Sequence, residues 1–138
     1  MATRSNILLI TPDNKVHQFY HHWDGYLSGV GEELRKYLVY SAGLKSLVLE
    51  DRPLYDILVE TISNDESYLS EEVRDLADKN DLHADIEFLY VIDDSCIHYI
   101  CEWETYKKFS TYKEVIDHVC VDGDKIILGK HYTSEDDK

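Results

Sequence analysis

The sequence predicts a single α+β domain, an antiparallel sheet of about five strands with helices packed mainly against one face. Three observations predict it. Two stretches alternate or cluster apolar residues around strong turn signals, as hairpins do. Four other stretches repeat apolar residues at helical spacing. The chain of 138 residues is 43% hydrophobic, enough for one core and too short for two domains. The order of elements reads ββ-ααα-ββ-α-β, with residues 1–132 as the domain and 133–138 as a flexible acidic tail.

The first hairpin is expected over residues 6–22. Ile7-Leu8-Leu9-Ile10 is closed by the turn-forming Thr11-Pro12-Asp13-Asn14, and Val16 to His22 returns. A loop, Trp23 to Gly29, leads into a helix from about Val30 to Tyr40, where Val30, Leu34, Tyr37 and Leu38 share a face and Gly43 suits a left-handed cap. Pro53 suits a first helical turn, with Leu54, Ile57, Leu58, Thr61 and Ile62 as the stripe. Ser70 reads as the N-cap of a third helix, with Glu71 and Glu72 on its dipole and Val73, Leu76 and Ala77 inward. The second hairpin spans Asp85–Asp93 and Cys96–Trp103, apolar on both faces in its middle as a covered central pair should be. Thr111-Tyr112-Lys113-Glu114 is a capping box ahead of a fourth helix, and Asp122-Gly123-Asp124 turns into a last strand, Lys125 to Leu128.

Charge narrows the function. There are 28 acids against 14 Lys and Arg, a net −14. Phosphate binding draws on Lys and Arg, so the balance argues against direct binding of DNA or RNA, and equally against an anionic membrane surface. The longest apolar runs are far shorter than the ~20 residues of a membrane span, and no secretory signal opens the chain, so a cytoplasmic protein is expected. Glu50 to Asp94 holds 15 acids and three bases, nearly all of the excess. Within it Asp65, Glu66, Glu71, Glu72, Asp75, Asp78 and Asp81 are the candidate partner-binding face. On the third helix the like charges would repel, which a solvated face tolerates and a phosphate mimic requires.

The second candidate is His22-Trp23-Asp24-Gly25-Tyr26, a dense run of polar and aromatic groups at a strand end. It reads as a structural corner or as a contact or ligand loop, with His22, Trp23, Asp24 and Tyr26 as its side chains. Gly25, Gly29 and Gly31 precede a helix, but no Lys follows and Glu32-Glu33 holds the dipole, so a phosphate loop is disfavoured. Seven histidines and three cysteines form no metal-ligand spacing, and Cys96, Cys101 and Cys120 read as buried free thiols. No catalytic residues, metal or cofactor are therefore expected.

The opening Met1-Ala2-Thr3-Arg4-Ser5-Asn6-Ile7, followed by His21-His22-Trp23-Asp24-Gly25-Tyr26-Leu27-Ser28-Gly29-Val30-Gly31, resembles a group of small phage and prophage proteins with a similar start and motif. The likeness covers about the first forty residues and brings no catalytic residues with it. It implies a phage or mobile-element accessory protein in a bacterial cytoplasm. Small acidic proteins of that setting resemble inhibitors of host nucleases or defence complexes, anti-CRISPR proteins among them. The expected function is then non-enzymatic inhibition, a nucleic-acid-mimicking acidic surface docking on a basic protein of such a complex. The alternative is a small-ligand or nucleotide-binding protein that uses the His22–Gly31 loop.

Overall fold

The computed structural model describes residues 2–47, 51–93, 95–101 and 108–137. Strands β1 (Ser5–Ile10) and β2 (Lys15–His21) form the expected first hairpin, in the register Ser5↔His21 to Ile10↔Val16. One π-helical turn, Leu27–Gly31, runs directly into α1 (Glu32–Ser46), and α2 spans Leu54–Ser63. Then come the short strands β3 (Tyr68–Ser70) and β4 (Arg74–Asp75), the hairpin β5 (Phe88–Asp93) and β6 (Cys96–Ile100), helix α3 (Tyr112–Asp122) and β7 (Asp124–Lys125).

The domain is α+β, but its sheet is mixed and has seven strands rather than about five. Its order is β3-β2-β1-β5-β6-β7, with β4 also on the outer side of β2. β1 lies parallel to β5, Ser5↔Phe88 to Leu9↔Ile92, and the other pairs are antiparallel. The apolar run of β1 explains its place. Ile7, Leu8 and Leu9 are all buried, so both faces of this strand need cover, and only a central position supplies it.

Helices also lie on both faces. Ile7, Leu9, Phe19, Tyr90, Ile92 and Ile97 meet Leu34 and Leu38 of α1 and Leu58 and Ile62 of α2. Leu8, Val16, Tyr20, Leu89, Val91 and Ile100 meet Tyr112, Val115, Ile116 and Val119 of α3. The expectation of helices mainly on one face holds only for α1 and α2. Strand alternation divides these residues into two cores, and each fully buried Leu or Ile contributes about 1.5–3 kcal/mol.

The third helix does not form. Ser70 to Asp78 instead builds the sheet edge, where Phe19↔Ser70, Tyr20↔Leu69 and His21↔Tyr68 pair β3, and Lys15↔Asp75 and Val16↔Arg74 pair β4. Between them the Glu71 N–H donates to the Gln18 carbonyl at 2.9 Å. Val73, expected inward, is exposed. Like charges disfavour the helix by a few tenths of a kcal/mol per pair, while the open edge of β2 offers a full set of backbone partners. Helix α1 likewise runs past Gly43, which has no positive φ and is not a left-handed cap. β5 begins at Phe88 rather than Asp85, and the last strand is Asp124–Lys125 rather than Lys125–Leu128. Trp103 lies outside the described residues. The fourth helix starts as the capping box requires, with Thr111 Oγ1 accepting from the Glu114 N–H at 3.2 Å.

The carboxyl-terminal segment is strapped to α1 through Glu32. This buried carboxylate accepts two hydrogen bonds from Arg35 (2.7 and 2.8 Å) and one from the Tyr132 N–H (2.9 Å), and sits 2.8 Å from His131 Nδ1. Arg35 also donates to the Leu128 carbonyl at 2.8 Å. The Arg35 bonds, aided by Tyr132 and His131 against the cost of burial, hold the Glu32 carboxyl at a pKa of about 2. The acidic tail forms a 3-10 turn, Ser134–Asp137, whose Asp137 accepts from the Ser28 N–H at 3.0 Å and from its hydroxyl.

Candidate functional site

The two candidate regions of the sequence meet around β2, the strand next to the β3–β4 edge. Alternation puts Gln18, Tyr20 and His22 on its α3-facing side, and the edge register brings Leu69 and Glu71 beside them. Glu71 accepts from Gln18 Nε2 with one carboxylate oxygen and meets His83 Nε2 with the other. The His83 ring stacks on Tyr20 with centroids 4.0 Å apart. The Tyr20 hydroxyl meets His22 Nδ1 at 3.0 Å, and the His22 ring stands edge-on to Trp23 at 4.7 Å. Deeper in, the Tyr112 hydroxyl donates to Gln18 Oε1 at 2.7 Å and accepts from the Asp81 N–H at 3.1 Å. A continuous chain of polar and ring contacts thus links α3 to the exposed indole.

The motif itself divides into two parts. Asp24, with φ 52°, and Tyr26 build the corner. The Tyr26 hydroxyl donates to Asp24 Oδ1 at 2.6 Å, and that bond to a carboxylate raises the phenol's pKa. The Asp24 carbonyl accepts from the Val30 N–H and the Gly25 N–H donates to the Thr3 carbonyl, both at 2.8 Å. A Cβ on Gly29 would collide with the Asp24 carbonyl, so this glycine serves close backbone packing. Ser28, at the start of the π turn, already holds Asp137. His22 and Trp23 point elsewhere, and Trp23 is 59% exposed.

The seven acids of the proposed face all lie on or beside the β3–β4 edge, in three different states. Asp65 folds the turn before β3, accepting from the Ser67 N–H (3.0 Å), the Ser67 hydroxyl (2.6 Å) and the Tyr37 hydroxyl (2.5 Å). Burial opposes its ionisation, but these bonds prevail and hold its carboxyl below the usual range. Asp75 pairs with Lys15, Asp81 with Arg74 at 3.1 Å, and Glu71 with His83. Asp78 accepts from the Asp75 N–H at 2.9 Å, Glu72 stands 4.0 Å from Arg74, and Glu66 is exposed in the turn. With Asp85, segment 65–85 carries eight carboxylates. Arg74 and Lys79 within it, and Lys15 and Arg4 reaching from β2 and the amino-terminal segment, supply four cations, Arg4 meeting Asp85 at 3.2 Å. The edge stays net negative, but less so than the raw count suggests. Leu69 and Val73, 58% and 47% exposed, interrupt the acids along it.

Sequence reasoning missed Gln18, Tyr20 and His83. The period-two spacing of Gln18, Tyr20 and His22 was the available signal for the first two; nothing local marks His83, which arrives from a loop. Among the described residues no group of three or more His, Cys, Asp or Glu is placed to hold a metal ion. Burial pushes the Cys120 thiol up to about 11, which leaves it a poor nucleophile at neutral pH. Cys96 is half-buried as well, whereas Cys101 is exposed rather than buried. No helix among the described residues is long and apolar enough to cross a membrane. Comparison with protein families, curated proteins and solved structures found no match.

Proposed function

We propose that this protein works by binding a basic protein along its β3–β4 edge, with Trp23 as the aromatic anchor and the edge carboxylates selecting for positive charge. The supporting observation is that two exposed aliphatic side chains and a net-negative row of acids share one ordered strand edge, with an exposed indole just beyond the end of the adjoining strand β2. Exposed tryptophans dominate the energy of many interfaces, and surrounding charges steer the encounter and reject wrong partners. The edge from Tyr68 to Asp75 runs alongside His21 to Lys15 of β2, about 20 Å at ~3.3 Å per residue, enough for a protein contact. On this reading the partner's surface is one built for nucleic acid, and the phage-like amino-terminal motif suggests a host nuclease or defence complex. The action is inhibition by occupancy, without catalysis.

The test is displacement of labelled duplex from purified nucleases and RNA-guided effector complexes, run from low to high salt. Competition that weakens steeply with salt, and is lost in Glu66→Lys/Glu72→Lys/Asp78→Lys and in Trp23→Ala, is the expected result. Competition indifferent to both variants removes the edge from the mechanism. No competition with any basic partner removes the function itself.

A further inference from the structure

The end of the sheet remote from Trp23 carries a second site, which the docking edge borders only at Leu76, just after β4. β1 and β5 are parallel neighbours, and from their carboxyl ends the chain departs in opposite directions. After Ile10 it turns back into β2 on one side; after Asp93 it turns into β6 on the other. Connections that diverge from a parallel pair leave a crevice between them, the same topological reason that open sheets bind ligands where their strand order reverses. Here the crevice is a cleft of about 460 Å³, within the range small molecules occupy. Each turn lining its mouth contains a left-handed residue, Asn14 (φ 62°) and Ser95 (φ 63°).

The two walls differ in chemistry. Tyr55 and Leu58 of α2 make one side apolar, over a floor that includes Leu9 and Ile92. The α3 side places Lys113 and Asp117 above Ile116, with Asp93 at the end of β5. Lys113 is already engaged by Asp117 at 2.8 Å. Asp93 has no ion-pair partner among the described residues, so the described lining of the mouth carries one uncompensated negative charge beside an apolar slot.

We infer that this cleft binds a small amphipathic cation, its aromatic or branched aliphatic part against Tyr55, Leu58 and Ile116 and its ammonium at Asp93. A carboxylate of the same shape would meet Asp93 with like charge and lose the complement. A charge-assisted hydrogen bond at a half-open site is worth roughly tenfold in affinity.

The experiment is an NMR titration, with thermal shift in parallel, using 2-phenylethylamine and 3-phenylpropanoate, which carry opposite charges on the same phenylethyl group, as probes. Millimolar amine is expected to raise the melting temperature and to move the methyl signals of Leu58 and Ile116 rather than those of Leu69 and Val73. Asp93→Asn, at an exposed position, is expected to weaken the amine about tenfold. Leu54→Trp, which fills the cleft from its half-buried rim, is expected to abolish binding while leaving the circular dichroism spectrum unchanged. The inference is overturned if the amine leaves Leu58 and Ile116 unmoved, if the carboxylate binds as tightly, or if Asp93→Asn binds as wild type does. The Glu66→Lys and Trp23→Ala variants, at the end of the docking edge away from the cleft, are expected to bind the amine normally, so failure of either site is read separately.

Discussion

Glu32 and the carboxylates of the β3–β4 edge are chemically alike and do opposite work. Glu32 is 5% exposed at its side chain and spends both oxygens on Arg35, His131 and the Tyr132 backbone, tying the carboxyl terminus to α1. The edge acids Glu66, Glu72 and Asp78 are exposed and bind little or nothing beyond their own turn. Burial with full hydrogen bonding turns an acid into a structural fastener; exposure on ordered backbone turns it into surface field. In an acidic protein, therefore, the count of acids says less than their depth.

The strongest way to break the comparison is at Glu32. Glu32→Ala is expected to cost about 3 kcal/mol in urea denaturation, because it strands the mostly buried Arg35 guanidinium. Its folded pKa of about 2 lies below the ordinary 4.5, so the stabilisation is complete above about pH 5 and is lost as pH falls toward 2. The variant is expected to flatten that acid limb, and an unchanged limb would show the fastener to be weak. Sodium chloride at 1 M is expected to alter this contribution little, since a buried pair is poorly screened.

Glu71→Gln comes next, at about 1 kcal/mol. Glu71 is partly buried, and glutamine there keeps one acceptor oxygen but loses the charge and the second acceptor that Gln18 and His83 share. Thermal melts of this variant with His83→Ala and the double variant would measure their coupling. Glycines sharpen the contrast between corner and helix. Gly43→Ala, with open space around the new Cβ in the last turn of α1, is expected to stabilise by about 0.5 kcal/mol in denaturant melts, whereas Gly29→Ala is expected to destabilise. Smallest in stability, within about 0.5 kcal/mol, are Trp23→Ala and the triple reversal of Glu66, Glu72 and Asp78. Their effect is expected in binding alone, and a large loss of stability would recast the edge as structural.

Much of the local structure was legible. The turn chemistry of Thr11-Pro12-Asp13-Asn14 announced the first hairpin, the α2 stripe was read nearly residue for residue, and Thr111 with Glu114 marked the start of α3. The stretch after Ser70 reads as a helix because Val73, Leu76 and Ala77 fall at helical spacing, and periodicity cannot register an empty strand edge roughly fifty to sixty residues upstream. The candidate side chains His22, Trp23 and Glu71 were chosen for separate reasons. That Tyr20 and His83 join them in one cluster required contacts across more than sixty residues of sequence.

Chain chemistry alone determined that this protein is acidic, has apolar residues enough to bury on strands and amphipathic helices, and closes its hairpins where it does, because turns, caps and periodicity act over a few residues. Only tertiary structure decided that β1 runs parallel to β5, that helices cover both faces, that Glu32 is buried while Glu72 is not, and that a cleft opens beyond Ile10 and Asp93. Those outcomes depend on which distant surfaces exclude water from one another, and no local pattern encodes that competition.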